Sequence, residues 1–297
     1  MRGDRLRRTR ATSLEPDDGV PPRPPVRLHA LLATKAPIAC VIRRGPSAWC
    51  HIARWDLTAN TLDHGAWLRA TLYPERCGLS PDGSLLAAFI LSGKRGSVEW
   101  GRYFAVSRVP WLHALAAWAT DSTWTTGAHF GDDGSLTLAG ALRDATPTHG
   151  SYPGRVLLAP VDTHWTRARL QRELHTGWRE VPHDAPWLAH VPAPIAATPQ
   201  AVVVERTSPH DSTSTLVLVS LGEKLREYYL RAEDDTITPL DELAWAEWHP
   251  DREANVIAAT RTGQLVVLGP DLVAEWSFDM NTATPKPSAS PEWAHDY

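Results

Sequence analysis

The chain has 297 residues, of which 43% are hydrophobic, so it can bury one large core or two smaller ones. Its 30 basic and 34 acidic residues give a formal charge of -4, which argues against a general binder of nucleic acid or of anionic membranes. No apolar run approaches the roughly 20 residues of a membrane-spanning helix. We therefore expect neither a nucleic-acid partner nor a membrane partner.

The three cysteines, Cys40, Cys50 and Cys77, lie in or beside apolar segments and lack C-x-x-C spacing. They are expected to be buried free thiols, as in a reducing compartment. Residues 1–10 contain five Arg, but no apolar segment follows them, so no secretory signal is recognised. The expected localisation is cytoplasmic.

Residues 1–27 are rich in Arg and Pro and have no hydrophobic periodicity, which predicts a disordered arm. Residues 36–43, 49–57 and 61–68 then form three predicted strands. The second ends in Trp-Asp, as strands of propeller repeats often do. These segments are the predicted first blade.

The clearest local signal is the stretch RATLYPERCGLSPDGSLLAAFILS, residues 69–92. Asp82 and Gly83 tolerate positive φ, and Pro81 presets φ at the start of the turn, so the segment predicts a hairpin. Residues 85–91 form an apolar run too short for a typical helix, which favours a strand covered on both faces.

The same hairpin recurs in weaker form. Asp133-Gly134 lies 51 residues after Asp82-Gly83. In the third copy, Pro250-Asp251, Asp251 lies 118 residues after Asp133, which is close to the length of two further repeats. Four-stranded propeller blades span about 40–50 residues. The spacing predicts an all-β, β-propeller-like single domain of about five blades over residues 28–280, followed by a flexible tail over 281–297.

Two segments are ambiguous. Residues 107–120 could form a capped helix or a strand that enters the next blade, and the strand is favoured because another Asp-Gly hairpin follows. Residues 163–175 could form a short charged helix. Five prolines between 182 and 199 predict a loop-rich passage.

The hairpins SPDGSLLAAF and GDDGSLTLAG resemble WD40-like and TolB-like propeller repeats. RRGPSAWCHIARWD, YPERCGLSPDGSLLAAF and YFAVSRVPWLHALAAW together resemble a group of uncharacterised bacterial proteins of similar length. The resemblance covers roughly residues 28–130. It implies a propeller fold and a habit of binding partners, and it implies no established activity.

The most suggestive polar stretch surrounds a turn in the first blade. Two guanidinium groups beside a hydroxyl and an indole could hold a carboxylate or phosphate and stack on a planar group. The alternative is a solvated hairpin whose Arg residues prevent edge pairing. Comparable turns of the second and last blades add further residues that could converge on one propeller face. The candidate binding residues are Arg43, Arg44, Ser47, Trp49, Tyr73, Arg76, Trp248, His249 and Arg252.

Catalytic and cofactor motifs were not found. The chain has no H-E-x-x-H, G-x-S-x-G, P-loop or G-x-G-x-x-G sequence, so no catalytic residue, metal ligand or cofactor is assigned. The leading hypothesis is a non-enzymatic protein-binding or scaffold module of a bacterial cytoplasmic complex. The alternative is a hydrolase with a polar pocket on the propeller axis, which would bring at least two carboxylates or His together with shifted pKa values. A structural subunit of a larger assembly is a third possibility, and any small-molecule ligand is unknown.

Overall fold

The structure, a computed structural model, describes residues 24–92, 101–191, 198, 200–222 and 225–297. Residues 1–23 of the predicted arm therefore lie outside the described residues. Five separate sheets, most of their strand pairs antiparallel, surround a common axis. The prediction of an all-β propeller with about five blades is confirmed.

Each blade is named by its order in the chain. Blade 1 contains β1 (Arg27–Leu32), β2 (Ile38–Arg44), β3 (Cys50–Asp56) and β4 (Thr61–Leu68). Blade 2 contains β5 (Thr71–Leu72), β6 (Gly78–Leu79), β7 (Leu85–Leu91), β8 (Arg102–Arg108) and β9 (Ala116–Ala119). Blade 3 begins with β10 (Thr125–Phe130) and β11 (Leu136–Gly140). The next strand, β12 (His149–Gly150), pairs with β9 of blade 2, and β13 (Val156–Ala159) completes blade 3.

Two short helices, α1 (Trp165–Ala168) and α2 (Gln171–His175), precede blade 4. Blade 4 contains β14 (Arg179–Glu180), β15 (Val202–Thr207), β16 (Thr215–Leu221), β17 (Leu225–Arg231) and β18 (Ile237–Pro239). Blade 5 contains β19 (Leu243–Trp248), β20 (Val256–Thr260), β21 (Gln264–Leu268) and β22 (Ala274–Asp279). Short 3-10 helices cover Pro74–Arg76, Pro186–His190, Met280–Thr282 and Glu292–His295.

The predicted hairpin of blade 2 forms as its sequence requires. Gly83 has a φ of +77°, and the Asp82 carboxylate accepts hydrogen bonds from the Ser80 hydroxyl at 2.5 Å and the Ser84 amide at 3.0 Å. Asp suits this turn position because its carboxylate readily accepts a hydrogen bond from the backbone amide two residues later. The β7 strand that follows is buried on both faces, as its continuous apolar run predicts.

The core lies between neighbouring blades. Trp55 and Trp276, whose ring centroids are 5.1 Å apart, stack where blade 1 meets blade 5. Phe104 and Trp118, both buried, pack against residues of blade 3. Large aromatic rings suit these wedge-shaped gaps because each removes a large apolar area from water.

The innermost strands of four blades lie against one another around the axis. β1 contacts both β6 and β19, and β6 contacts β10. Helix α2 contacts β10 and lies on the axis, before the first strand of blade 4. Blades 1 and 5 are each built from one continuous stretch of chain, so among the described residues the N-terminal and C-terminal segments share no strand.

The ambiguous segments resolve locally. In residues 107–120 the strand covers Ala116–Ala119 and belongs to blade 2, not to the next blade. Pro110 has no amide hydrogen to donate to a neighbouring strand, so residues 109–115 form the loop that connects β8 to β9. Within the residues that the structure describes, no helix has the length and apolarity needed to cross a bilayer.

The C-terminal residues carry no strand, but they contact the propeller. Ala294 is fully buried, and the Arg108 guanidinium donates to the Asp296 carbonyl at 2.6 Å. The rings of His113 and His295 stack at 4.0 Å between centroids. The flexibility predicted for residues 281–297 stays a prediction.

Candidate functional site

The nine residues proposed from the sequence lie at two opposite ends of the propeller. β2 ends at Arg44, whereas the innermost strand β19 ends at Trp248. Because successive strands of a blade run in opposite directions, the end of β2 and the end of an inner strand point to opposite ends of the axis. The predicted convergence of all nine residues on one face is therefore not found.

The face that contains the β1–β2 turn is called the turn face. Lys35 joins its loops, because its amide donates to the Pro81 carbonyl at 2.8 Å and its Nζ donates to the Asp132 carbonyl at 3.0 Å. The His210 ring bonds the Pro250 carbonyl at 2.7 Å on the same face. The opposite end, where the β2–β3 turn lies, is called the entry face.

Three candidates come together at the entry face. The Arg44 guanidinium lies 5.7 Å and that of Arg76 lies 4.7 Å from the centroid of the Tyr73 ring. Arg76 is buried and also donates to the Thr123 carbonyl at 2.9 Å. Stacking on an aromatic ring is typical of guanidinium groups, so the contacts position this part of the blade.

The other entry-face candidates differ in exposure. Arg43 is buried, and it donates to the Met280 carbonyl at 2.9 Å and the Ala283 carbonyl at 3.1 Å. It thus holds the chain that follows blade 5. Ser47 is exposed and Trp49 is half-buried in the β2–β3 turn.

The turn-face candidates are largely internal. The buried Trp248 indole donates to the Arg206 carbonyl at 2.8 Å, and the buried His249 ring bonds the Leu57 carbonyl at 3.3 Å. Burial lowers the pKa of His249, so the ring is neutral at pH 7. Arg252 is half-buried and lies 3.7 Å from the Glu275 carboxylate.

A cavity of about 280 Å³, called the axial cavity, lies beside α2 at the turn face, between blades 1, 4 and 5. Its walls come from β1, α2, β15, β17 and β19, together with the segments that follow β1, α2, β15 and β19. This axial cavity brings together charged and aromatic residues that are far apart in the sequence. The lining includes Arg172, Glu173, Trp178, Arg206, Tyr228, Trp245, Glu247 and Trp248.

Glu173 is the most enclosed charged group of the axial cavity, with 3% of its surface exposed. Its Oε1 accepts from Arg172 at 2.5 Å and from Arg226 at 2.7 Å. Burial alone would raise the pKa of this carboxyl, but the two guanidinium groups more than compensate and hold the pKa below its ordinary value. Glu173 is therefore an ionised hydrogen-bond acceptor.

The second carboxylate of the axial cavity is also paired. Glu247 Oε2 accepts from the Trp178 indole and from Arg206, each at 2.8 Å, and its Oε1 accepts from the Trp248 amide at 2.9 Å. These three donors fix the position of the Glu247 carboxylate.

Two histidines complete the polar groups near α2. Arg172 donates to the His29 ring, and burial lowers the pKa of His29, with the neighbouring arginines adding to the effect. His129 lies 3.7 Å from His175 between ring centroids, and burial lowers its pKa to about 4. Both His29 and His129 are neutral at pH 7.

Sequence reasoning missed the α2 residues. The charged segment 163–175 predicts a possible short helix, but no motif or periodicity places it on the axis. Short helices with mixed charges usually lie on the surface. The signal that could have indicated burial is the cluster of Arg around a single Glu, because a buried carboxylate requires such partners.

Blade 3 has an unusual outer edge. It contains three strands, and its outermost strand β13 pairs with β11 in parallel. Consecutive residues Leu157 and Leu158 are 37% and 43% exposed, although adjacent residues of a strand point to opposite faces. Both faces of β13 are therefore partly exposed.

No protein-family model and no curated protein matches this chain. Among solved structures, it is similar to the β-propeller domain of the trilobed protease from Pyrococcus furiosus, with 9% identity, a TM-score of 0.30, and coverage of 88% of this chain and 85% of that one. It is also similar to an uncharacterised protein from Listeria monocytogenes, with 8% identity, a TM-score of 0.29, and coverage of 92% and 88%. A dihydro-heme d1 dehydrogenase has 9% identity and a TM-score of 0.30 over 89% of this chain and 58% of its own length.

Proposed function

We propose that the protein is a non-enzymatic protein-binding module, and that it binds an extended segment of its partner at the outer edge of blade 3. The observation that carries this proposal is the composition of β13. Its four residues, Val-Leu-Leu-Ala, include neither a charge nor a proline, and the strand ends its sheet. An apolar edge strand is a template for strand addition by another chain.

The outer strands of blades 1, 4 and 5 have the features that normally prevent such pairing. β4 contains Asp63, β18 ends in Pro239, and β22 contains Glu275 and Asp279. Charges and prolines on an edge oppose strand addition. Their absence from β13 supports a docking role for that edge.

The axial cavity gives less support to the hydrolase alternative. It does bring together two carboxylates, Glu173 and Glu247, which is one of the two features that this hypothesis expects, the other being shifted pKa values. Both carboxylates, however, already accept hydrogen bonds from arginine, and the pKa of Glu173 is below its ordinary value. General acid catalysis instead needs a carboxyl whose pKa is raised towards neutrality.

Site-specific photo-crosslinking tests the proposal. A benzoylphenylalanine at position 158 should crosslink a partner in its native cells, and mass spectrometry should map the adduct to an extended segment of that partner. The same probe at Val273, an apolar residue that is 60% exposed in the β21–β22 turn, is the control. Identical adducts from both positions would contradict docking at β13.

The purified partner allows a quantitative test. Leu158→Lys should weaken its binding at least about tenfold, because a charge on the edge disfavours strand pairing. Val273→Lys, which adds the same charge elsewhere, should leave the affinity unchanged. Equal affinities of the wild-type protein and Leu158→Lys would exclude the β13 edge as the docking site.

The cellular setting belongs to the same proposal. The resemblance of the hairpins to WD40-like and TolB-like repeats supports a scaffold in a bacterial complex. The three cysteines are free and buried, which supports a cytoplasmic location.

A further inference from the structure

Residues 284–289 form an exposed tether between two parts of the chain that are fixed to the propeller. Before the tether, Arg43 donates to the Met280 and Ala283 carbonyls. Every residue of the tether is exposed, whereas Ala294, which follows it, is fully buried. Residues 290–297, called the latch, are therefore held by contacts of their own.

The latch lies against blade 2 without pairing with any strand of the described structure. Its short 3-10 helix, Glu292–His295, contacts β8 and contains the buried Ala294. Beyond this helix, Arg108 at the end of β8 donates to the Asp296 carbonyl at 2.6 Å. Because that acceptor is a backbone carbonyl, the bond fixes the path of the chain, and the enclosed position of Ala294 admits only a small side chain.

Two aromatic contacts add recognition of side chains. The His295 ring stacks on His113, from the loop between β8 and β9, at 4.0 Å between centroids. The Tyr297 ring meets Tyr152 edge-on, with centroids 5.8 Å apart and the ring planes at 70°. Tyr152 is itself held in place, because its hydroxyl donates to the Gly134 carbonyl at 2.6 Å. Such ring contacts depend on the residue types of the bound segment.

A segment held in this way can leave its site without breaking a sheet. Its contacts are those of a short bound peptide, one turn of helix with a few side chains, and not those of a strand in a blade. A short tether gives such a segment an effective concentration in the millimolar range, so even a weakly binding peptide stays bound while it is connected. A partner segment at high local concentration can then displace it.

We propose that the latch is a detachable ligand, and that the groove it occupies, formed by Arg108, His113 and Tyr152 and called the latch groove, also binds a partner segment of the same chemistry. That segment carries a very small residue, a flat ring directly after it and a second ring two positions later. The latch competes with such a partner and inhibits its docking. This groove is separate from the β13 edge, and the inference does not rest on the function proposed for that edge.

Cleavage of the tether tests whether the latch detaches from a folded propeller. A specific protease site in place of residues 284–289 allows the full chain to be cut after it has folded. Size-exclusion chromatography and mass spectrometry should then show loss of the latch peptide, and circular dichroism should show that the propeller is retained. A latch that stays bound through extensive dialysis, or a cleaved protein that unfolds, would show a permanent part of the fold and overturn the proposal.

A labelled peptide of residues 286–297 tests binding by fluorescence anisotropy. Cleaved protein freed of its latch should bind the peptide with a Kd below about 1 mM, and uncleaved protein should bind it at least about tenfold more weakly, because its groove is occupied. Ala294→Arg in the peptide should weaken binding at least about tenfold, because the enclosed site has no room for a large charged side chain.

The matched control for the peptide is Ser288→Arg, which adds the same charge in the exposed tether and should leave its affinity unchanged. Equal binding of the wild-type peptide by cleaved and uncleaved protein, or equal affinities of the Ala294→Arg and Ser288→Arg peptides, would place the peptide outside the latch groove. Absence of binding to the cleaved protein would likewise overturn the proposal.

Discussion

His51 is a buried ring with a defined protonation state. Its Nδ1 lies 3.0 Å from the Ala66 carbonyl and must carry the hydrogen, so its Nε2 accepts from His64 Nδ1 at 2.9 Å. The ring also stacks on Trp67 at 4.2 Å between centroids. Burial lowers the pKa of His51 from 6.5 to about 4, although the Ala66 hydrogen bond opposes the shift.

This shift predicts acid sensitivity. As the pH falls from 6.5 to about 4, the unfolded chain binds a proton at His51 that the folded protein does not, so the free energy of unfolding decreases across this window. His51→Gln removes the titrating group and should give a shallower pH dependence, whatever its absolute stability. Urea unfolding at several pH values measures the slope. The same change at the exposed His183 provides a matched control for the substitution itself.

The thiols permit a second prediction for individual residues. Burial raises the pKa of Cys77 to about 12 and raises that of Cys40 as well, so neither forms the reactive thiolate in the folded protein. At about pH 8, Ellman's reagent should react with Cys40 and Cys77 only after unfolding. Rapid labelling of either residue in the native protein, located by peptide mass spectrometry, would contradict their burial.

At the level of the element, the Asp-Gly hairpins can be compared with one another. Gly83 and Gly134 both have a φ of +77°, but a Cβ on Gly83 would lie 2.7 Å from Ile38, whereas a Cβ on Gly134 would meet nothing within 4 Å. Gly134→Ala should therefore cost about 1–2 kcal/mol of stability from backbone strain alone. Gly83→Ala adds a steric clash and should cost about 2–5 kcal/mol. Urea unfolding of both variants tests the difference, and equal losses would show that Ile38 moves without cost.

These elements also show what local sequence can predict. The Asp-Gly turn and the apolar run after it specify a hairpin through the conformations of a few neighbouring residues, and both hairpins formed. The place of α2 depends on long-range packing instead. Glu173 binds Arg226, which lies more than fifty residues away in the chain, and no local pattern encodes that contact. The axial cavity was accordingly predicted only as a general possibility.

For the whole molecule, the number of blades followed from the repeat spacing, but the grouping of candidate residues did not. Arg44 and Trp248 both lie at strand ends next to turns, and the local sequence of a turn does not show at which end of the propeller it lies. That end depends on the number of strands between the two turns and on which strand of each blade is innermost. The burial of Arg43 and His249 could not be predicted from local sequence either, because each side chain bonds a carbonyl group of a distant segment.

Closure of the ring provides the last prediction. Asn281 connects the start of blade 1 to blade 5, because its Oδ1 accepts from the Val26 amide at 3.0 Å and its Nδ2 donates to the Thr262 carbonyl at 2.8 Å. With no shared strand between these blades, we expect Asn281→Ala to lower Tm by about 3–10 °C and to speed amide exchange in both β1 and β21. Thr262→Ala keeps the carbonyl and should leave exchange in β1 unchanged. If Asn281→Ala speeds amide exchange only at residues next to position 281, packing between Trp55 and Trp276 closes the ring without this hydrogen-bonded link.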